Sequence, residues 1–204
     1  MPDDAPSRLE RTIDKIDALN RRDPNTVTVD GEERPWELVH SEAMTRWIET
    51  LDPNPSEALR IAARSQHICR WKIPRDDYPD TKEGYYRWRN DLKEYHAELT
   101  GDIMAEMGYD DETIEQVQRL NRKEGVYRSD AEAEVQCIED ALSLTFMEYR
   151  LERFARKDKY SDEKVVDILT KTLNKMSEQG IETATTLSFA PDVAPLVERA
   201  IDEL

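Results

Sequence analysis

The chain has 204 residues and a formal net charge of −16, with 38% hydrophobic and 36% charged residues. This length fits a single domain, since domains usually hold about 100–200 residues. The negative charge argues against binding to nucleic acid or to a membrane surface, because nucleic acid and anionic lipids both repel an acidic protein. No uncharged run is long enough to span a bilayer or has the character of a secretory signal. Two cysteines are too few for a disulfide scaffold, and we expect a cytoplasmic protein.

The first third of the chain has the apolar spacing of amphipathic helices. Residues 7–21 are predicted to form the first helix, and residues 26–31 have the composition of a hairpin with an Asp-Gly turn. Pro35 is expected as the first residue of the second helix, since its missing N–H is tolerated there. Ser56 is a natural N-cap for a third helix, which we expect to reach about Arg70.

The rest of the chain has a loop at residues 72–83, where two prolines interrupt the periodicity. After this loop we expect a helix over residues 84–107 and a short helix that begins at Asp111. The Ser129–Glu132 capping box should open a helix of nearly thirty residues. The last two predicted helices are residues 161–180 and a helix that follows Pro191. We therefore predict an all-α, single-domain helical bundle of about eight helices over residues 1–204. Its expected parts are an N-terminal helix and loop (1–34), a core with the site (35–157) and C-terminal helices (158–204).

All three histidines, His40, His67 and His96, are predicted to lie on apolar helix faces near the centre of the bundle. Asp140 is expected in a buried stretch, where a carboxylate must be paired or metal-bound. Imidazole nitrogens with a carboxylate oxygen suit iron, manganese, zinc or nickel. The alternative is that each histidine is a core residue bonded to a backbone carbonyl. In that case Asp140 accepts hydrogen bonds from an arginine such as Arg64.

Residues 70–89 combine six basic side chains with five aromatic rings. Arginine forks bind phosphate or carboxylate, and aromatic faces stack on flat groups. Because this segment joins the helices of His67 and His96, we expect it to lie over the candidate site. The candidate contacts with a small anionic ligand are Arg70, Trp71, Arg75, Tyr85 and Arg89. The alternative is a structural loop whose arginines pair with its own acidic residues.

Several short motifs are spread over nearly the whole chain. They are Gln66-His67-Ile68-Cys69-Arg70-Trp71, Ile73-Pro74-Arg75, Tyr78-Pro79, Gly84-Tyr85 with Trp88-Arg89, Glu139-Asp140 and Lys175-Met176-Ser177. Together they resemble the uncharacterised family catalogued as domain of unknown function DUF4202.

The order of His40, segment 66–70, His96 and Asp140 also resembles the HD-domain superfamily of metal-dependent phosphohydrolases. Those proteins carry a His on one helix, a His-Asp doublet that Ile-Gly-Lys or Ile-Gly-Arg usually follows, and an Asp on a later helix. The resemblance implies an HD-like fold and a divalent metal held by His40, His67 and Asp140. Manganese, iron, cobalt, nickel or zinc is expected there, and magnesium is less suited to imidazole ligands.

The resemblance implies a hydrolase that acts on a small phosphorylated or anionic molecule, such as a nucleotide-like one. His96 and Gln66 are its candidate catalytic residues. However, Gln66 falls where HD enzymes have His, and His67 falls where they have Asp. This departure leaves open a non-catalytic ligand-binding or regulatory domain. An iron-dependent oxygenase, as in some HD relatives, needs more histidines for two irons than this chain has. The oligomeric state stays open, with a homodimer among the alternatives.

Overall fold

Side-chain caps set where most of the helices begin. The computed structural model describes residues 5–126, 132–157 and 160–204. In it, six hydroxyl or carboxylate side chains accept a backbone N–H from the first turn of the helix that follows each of them. These caps are Ser7, Ser56, Thr81, Asp110, Ser161 and Ser177.

The ten α-helices of the described residues account for most of the chain. They are α1 (Arg8–Asn20), α2 (Trp36–Leu51), α3 (Glu57–Ser65), α4 (Lys82–Glu106), α5 (Asp111–Arg122), α6 (Ala133–Tyr149), α7 (Leu151–Ala155), α8 (Asp162–Leu173), α9 (Glu178–Ala184) and α10 (Ala194–Asp202). Two strands, β1 (Thr26–Val29) and β2 (Glu32–Pro35), pair as an antiparallel hairpin. The predicted all-α, single-domain class is confirmed.

The hairpin leads directly into α2 and fixes where that helix begins. Asp30 and Gly31 both have positive φ angles, 51° and 85°, as a two-residue hairpin turn requires. Pro35 is the residue before the helix and not its first helical residue, so this detail of the prediction was wrong. Pro35 offers no side-chain cap, and the Asp23 carboxylate accepts the Glu37 backbone N–H instead, at 2.9 Å. The first turn of α2 is therefore anchored from outside the helix.

Helix α3 ends at Ser65, five residues before the predicted end at Arg70. The chain turns here because Cys69 adopts a left-handed backbone conformation with φ of 53°, which no α-helix tolerates in its interior. The Asn20 side-chain carbonyl accepts the Cys69 backbone N–H at 3.1 Å and holds the turn. Short 3₁₀ helices follow at Arg70–Lys72 and Arg75–Asp77.

Two long predicted helices are each divided in the structure. The helix predicted from residue 129 becomes α6 and α7, and the one predicted over 161–180 becomes α8 and α9, so the described residues form ten α-helices where about eight were predicted. The backbone of Arg150 leaves helical geometry, with φ −120° and ψ −24°, and separates α6 from α7. Most of the predicted capping box at 129–132 lies outside the described residues. Gly180 does not end a helix but lies in the first turn of α9, where an added Cβ would come 2.7 Å from the Asp140 Cγ atom.

The core lies where α2 packs against α3 and α6, with α5 packed on both α3 and α4. The fully buried side chains Met44, Ile48, Ile61, Ile138 and Leu144 belong to α2, α3 and α6. Near the C-terminus, α8 packs against α10. Within the described residues, no helix combines the length and the apolar character that crossing a membrane requires.

Candidate metal centre

The three histidines come together from three separate parts of the chain. His40 lies on α2, His67 in the turn after α3, and His96 on α4. The His40 and His67 rings stack with centroids 4.0 Å apart, and the His67 and His96 centroids are 5.8 Å apart. The side chains of His40 and His96 are buried, whereas that of His67 is 21% exposed.

Glu37 supplies the carboxylate of this cluster, and sequence reasoning missed it. One potential ligand atom from each of Glu37, His40 and His67 lies within 4.8 Å of the other two. The Glu37 Oε2 atom is 3.6 Å from His67 Nδ1. Because residues three apart share a helix face, Glu37 and His40 point the same way from α2. The Glu-x-x-His spacing, which also builds metal sites inside helical bundles, was the available signal.

Each side chain of this cluster has a buried polar atom without a hydrogen-bond partner in the described part of the chain. These atoms are Glu37 Oε2, His40 Nδ1 and His67 Nδ1. Leaving one such buried polar group unpaired costs about 1–3 kcal/mol, so native proteins rarely keep several together. Two imidazoles and one carboxylate are the donor set of known three-ligand zinc sites. The residues present therefore fit a divalent transition metal.

Burial controls the protonation of Glu37. It raises the pKa of the Glu37 carboxyl to about 8, and the nearby Asp23 carboxylate acts in the same direction. The guanidinium groups of Arg70 and Arg150 oppose this shift. Without a metal, the carboxyl is therefore largely protonated at neutral pH, and metal binding would release its proton.

Burial also keeps the three imidazoles neutral. It lowers the pKa of His40 and of His96 to about 3, with the positive charge of Arg70 as the next cause for each. For His67, burial and then the neighbouring His40 hold the pKa well below its usual value. Since the neutral imidazole is the form that binds metals, the cluster is ready to bind one at physiological pH.

Gln66 and His96, the two candidate catalytic residues, lie beside the cluster. The Gln66 amide donates to the Asn121 backbone carbonyl at 3.0 Å, which fixes its orientation. Neither the Gln66 Oε1 atom nor the His96 Nε2 atom has a hydrogen-bond partner among the described residues, although both are buried. Both side chains line the cavity next to His67. They are therefore available to a bound ligand.

Asp140, the predicted carboxylate ligand, is engaged elsewhere. Its carboxylate accepts the Ser177 backbone N–H at 2.9 Å, the Ser177 hydroxyl at 2.5 Å and the Gln136 amide at 2.8 Å. It is neither part of the Glu37 group nor among the residues that line the cavity. Arg64, proposed as an alternative partner, pairs with Asp17 instead. Asp140 therefore anchors the start of α9 to α6.

The histidines open onto a cavity of about 860 Å³, and its walls are strongly basic. Its nine lysine and arginine side chains are Arg70, Arg89, Lys93, Lys123, Arg150, Arg153, Lys157, Lys171 and Lys175. Among the lining residues that the structure describes, Glu139 is the one carboxylate, and it pairs with Lys123 at 2.7 Å. A protein of net charge −16 has thus gathered nearly a third of its 29 basic residues around one cavity.

Aromatic rings of the lining hold several of these cations. The Arg70 guanidinium lies 4.7 Å from the ring centroid of Trp88, and that of Arg150 lies 3.7 Å from the centroid of Trp36. Cation–π contacts of this kind fix a guanidinium without a carboxylate partner. No ion pair to a carboxylate is found for Arg70 or Arg150 within the described residues. Their N–H donors remain available to an anion.

The predicted ligand-binding segment contributes only its ends to the cavity. Arg70, Tyr85 and Arg89 line it, but none of the lining residues lies between 71 and 84. Arg75 and Trp71 were therefore placed wrongly. The Arg75 guanidinium donates to the carbonyls of Tyr78 and Pro79 and pairs with Asp80, which makes it a structural residue of its own loop.

Sequence reasoning also missed the basic wall that comes from the second half of the chain. Lys123 has a left-handed backbone, with φ of 55°, and its ammonium group is buried against Glu139. The other cations of this wall lie three or four positions apart in the sequence, at 150, 153 and 157 and at 171 and 175. Such spacing predicts one helix face, but Arg150 and Lys157 lie outside α7 and Lys175 lies outside α8, so helical periodicity alone does not bring them together.

The fold and this site define the chain as a single helical domain with a buried histidine–carboxylate cluster at a basic cavity. The chain belongs to the family described as domain of unknown function (DUF4202), whose family model matches residues 10–197. The predicted membership of this family is thereby confirmed. No curated protein and no solved structure matches the chain.

Proposed function

We propose that this protein is a metal-dependent hydrolase that acts on a small phosphorylated or otherwise anionic molecule. One observation carries the proposal. Glu37, His40 and His67 bring one potential ligand atom each to within 4.8 Å of the others, each side chain has a buried polar atom without a hydrogen-bond partner in the described residues, and the two histidines line a basic cavity.

The donor set indicates the kind of metal. Imidazole ligands favour manganese, iron, cobalt, nickel or zinc over magnesium, which prefers oxygen ligands. A metal held by three protein ligands keeps positions for water and substrate, lowers the pKa of the bound water and polarises a phosphoryl or carbonyl oxygen.

The residues around the cluster have separate roles in this proposal. Arg70 and Arg150 bind the anionic group of the substrate and stabilise the charge that develops on it. The Gln66 Oε1 atom accepts a hydrogen bond and orients the attacking water. His96, a neutral imidazole with an unpartnered Nε2 atom, offers that nitrogen as a proton acceptor.

The turn that carries His67 supports a distant relation to HD domains. Cys69 stands where HD proteins usually have glycine after the doublet, and its φ of 53° is a conformation that favours glycine. The carboxylate ligand departs from the HD pattern, because it comes from Glu37 on α2 and not from Asp140 on α6. We therefore propose a divergent HD-like domain with a rearranged ligand set.

Metal analysis of protein purified without a histidine tag tests the proposal. We expect close to one equivalent of a transition metal, bound as isolated or after addition of Mn²⁺, Fe²⁺, Co²⁺, Ni²⁺ or Zn²⁺. The variants E37A and H67A should lose it while remaining folded by circular dichroism. The matched control is E42A. Glu42 is another carboxylate on α2, but it is partly exposed, pairs with Arg34 and does not belong to the cluster.

Hydrolysis is tested with the same preparations on a panel of phosphomonoesters and phosphoanhydrides. Turnover should require the metal and should disappear in H67A but persist in E42A. Failure to take up any transition metal would refute the proposed function outright.

A second candidate function is a non-catalytic ligand-binding domain. The observation that favours it is the Gln66-His67 pair, which replaces the His-Asp doublet of HD enzymes and offers no carboxylate to activate water. Stabilisation of the metal-loaded protein by an anion of the panel, with no turnover of any compound, would establish this alternative in place of hydrolysis.

A further inference from the structure

The positive charge of the cavity wall is largely uncompensated. Of the nine basic side chains, Lys123 pairs with Glu139 and Lys171 pairs with Asp167. The other seven have no ion pair with a carboxylate in the part of the chain that the structure describes. They are Arg70, Arg89, Lys93, Arg150, Arg153, Lys157 and Lys175.

These cations repel one another. After burial, the neighbouring Lys123 and Arg89 are the next causes that lower the pKa of Lys93. The same Arg89 also lowers the pKa of Arg70. Like charges gathered on a concave wall destabilise the empty cavity, and an anion that enters it relieves the repulsion. A phosphomonoester, with a charge of about −2 at most, is too small a counter-charge for seven cations.

We infer that the ligand of this cavity is a small polyanion with three or more negative charges, such as a multiply phosphorylated molecule. The inference names the substrate class of the site and so rests on the proposed function, although the binding itself is carried by the protein's own cations. A cavity of about 860 Å³ is of the size that holds one small molecule. The protein as a whole has a net charge of −16, which disfavours a long polyanion such as nucleic acid.

Binding of inorganic phosphates to the metal-free protein tests this inference. The protein is stripped with a chelating resin, because a soluble chelator is itself a polyanion that would compete. Tripolyphosphate, pyrophosphate and orthophosphate are then titrated at constant ionic strength by calorimetry, with the fluorescence of Trp36 and Trp88 as a second readout. We expect tripolyphosphate to bind at least tenfold more tightly than orthophosphate.

Variants locate the binding in the cavity. R89A should weaken tripolyphosphate binding about tenfold, because it removes one charge-assisted contact with the anion. The matched control is R87A, an exposed position two residues away on α4 that does not line the cavity. K175A, at another lining residue of the cavity, should weaken binding in the same way and replaces R89A if that variant proves unstable.

The outcomes separate this inference from the proposed function. Equal affinity for orthophosphate and tripolyphosphate, or equal losses in R87A and R89A, would overturn the polyanion inference while leaving metal uptake intact. An oligonucleotide that binds more tightly than tripolyphosphate would overturn it as well. If the protein takes up no metal but binds tripolyphosphate tightly, and R89A weakens that binding, the polyanion inference would stand and the proposed hydrolase function would be refuted.

Discussion

At the scale of single residues, Glu37 illustrates how the fold changes the chemistry of a side chain. In the sequence it is one of 45 acidic residues, distinguished only by its position three residues before His40. In the fold it is buried beside two imidazoles, and burial raises its pKa to about 8. The same group is therefore a neutral acid in the metal-free protein, and under the proposed function a metal would displace its proton and bind the carboxylate.

This protonation predicts how the stability of the metal-free protein depends on pH. Between pH 4.5 and about 8, folded Glu37 holds a proton that the unfolded chain has lost, so the free energy of unfolding falls as pH rises. The histidines act oppositely, since their lowered pKa values make stability rise with pH, but only up to their unfolded value of 6.5. From pH 6.5 to 8 we expect Glu37 to contribute a fall of up to about 1.4 kcal/mol per pH unit.

Urea unfolding at several pH values measures this slope for the wild type and for E37Q. The variant has no titrating carboxyl at this position, so its free energy of unfolding should not show this decrease as pH rises. Matching slopes for the two proteins would contradict the assignment of a raised pKa to Glu37.

Asp140 allows a second prediction at this scale, because its two possible roles give different results. As the anchor of α9 it accepts both the backbone N–H and the hydroxyl of Ser177. D140A would leave these donors without their acceptor and should lower the free energy of unfolding by about 2 kcal/mol. The folded variant should still take up metal, unlike H67A. A D140A protein of normal stability that binds no metal would instead restore Asp140 as a ligand.

At the scale of elements, the turn after α3 decides how His67 is presented. A helix continued to Arg70, as the sequence pattern predicted, would place His67 on a helix face. Instead, the left-handed conformation of Cys69 reverses the chain, and the Asn20 side chain holds that turn through the Cys69 backbone N–H. His67 therefore projects from a turn toward His40, against which it stacks.

The left-handed conformation of Cys69 predicts an unusual order of stability for two substitutions. A residue with a Cβ atom is strained there by about 1–2 kcal/mol, whereas glycine is not. C69G should therefore be about 1 kcal/mol more stable than C69A, although alanine usually stabilises a chain relative to glycine. Chemical denaturation of the two variants checks the order. Greater stability of C69A would show that Cys69 does not require a left-handed backbone.

At the scale of the whole molecule, the two signs of charge are separated. The protein has a net charge of −16, yet nine of its basic residues surround one cavity. On the proposed function, the concave basic wall would attract a small anion that fits inside, while the net negative charge of the protein would repel a long polyanion.

The excess of negative charge predicts that salt stabilises the metal-free protein. Added KCl screens the repulsion between surface carboxylates, so the midpoint of thermal unfolding should rise. Each kcal/mol gained corresponds to about 2–4 °C for a chain of this size. The effect should vanish near pH 4.7, where the net charge is close to zero. An equal rise of the unfolding midpoint at that pH would show that the salt does not act by screening the net charge.

The sequence by itself determined the class of the fold and much of the burial. Helical periodicity predicted an all-α domain because the spacing of apolar residues is a local property that the chain carries everywhere. The same spacing placed His40 and His96 on apolar faces, and both are buried. The order of short motifs identified the family.

Only the tertiary structure decided which carboxylate joins the histidines and which cations face them. Glu37 lies three residues from His40, but its meeting with His67 depends on the turn at Cys69 and on the packing of α2 against α3. Asp140 does not belong to the Glu37 group, because its carboxylate accepts the hydroxyl of Ser177 at the start of α9. Lys175 lies far along the chain from Arg70, and the two line one cavity. Such contacts follow from long-range packing, which local spacing does not encode.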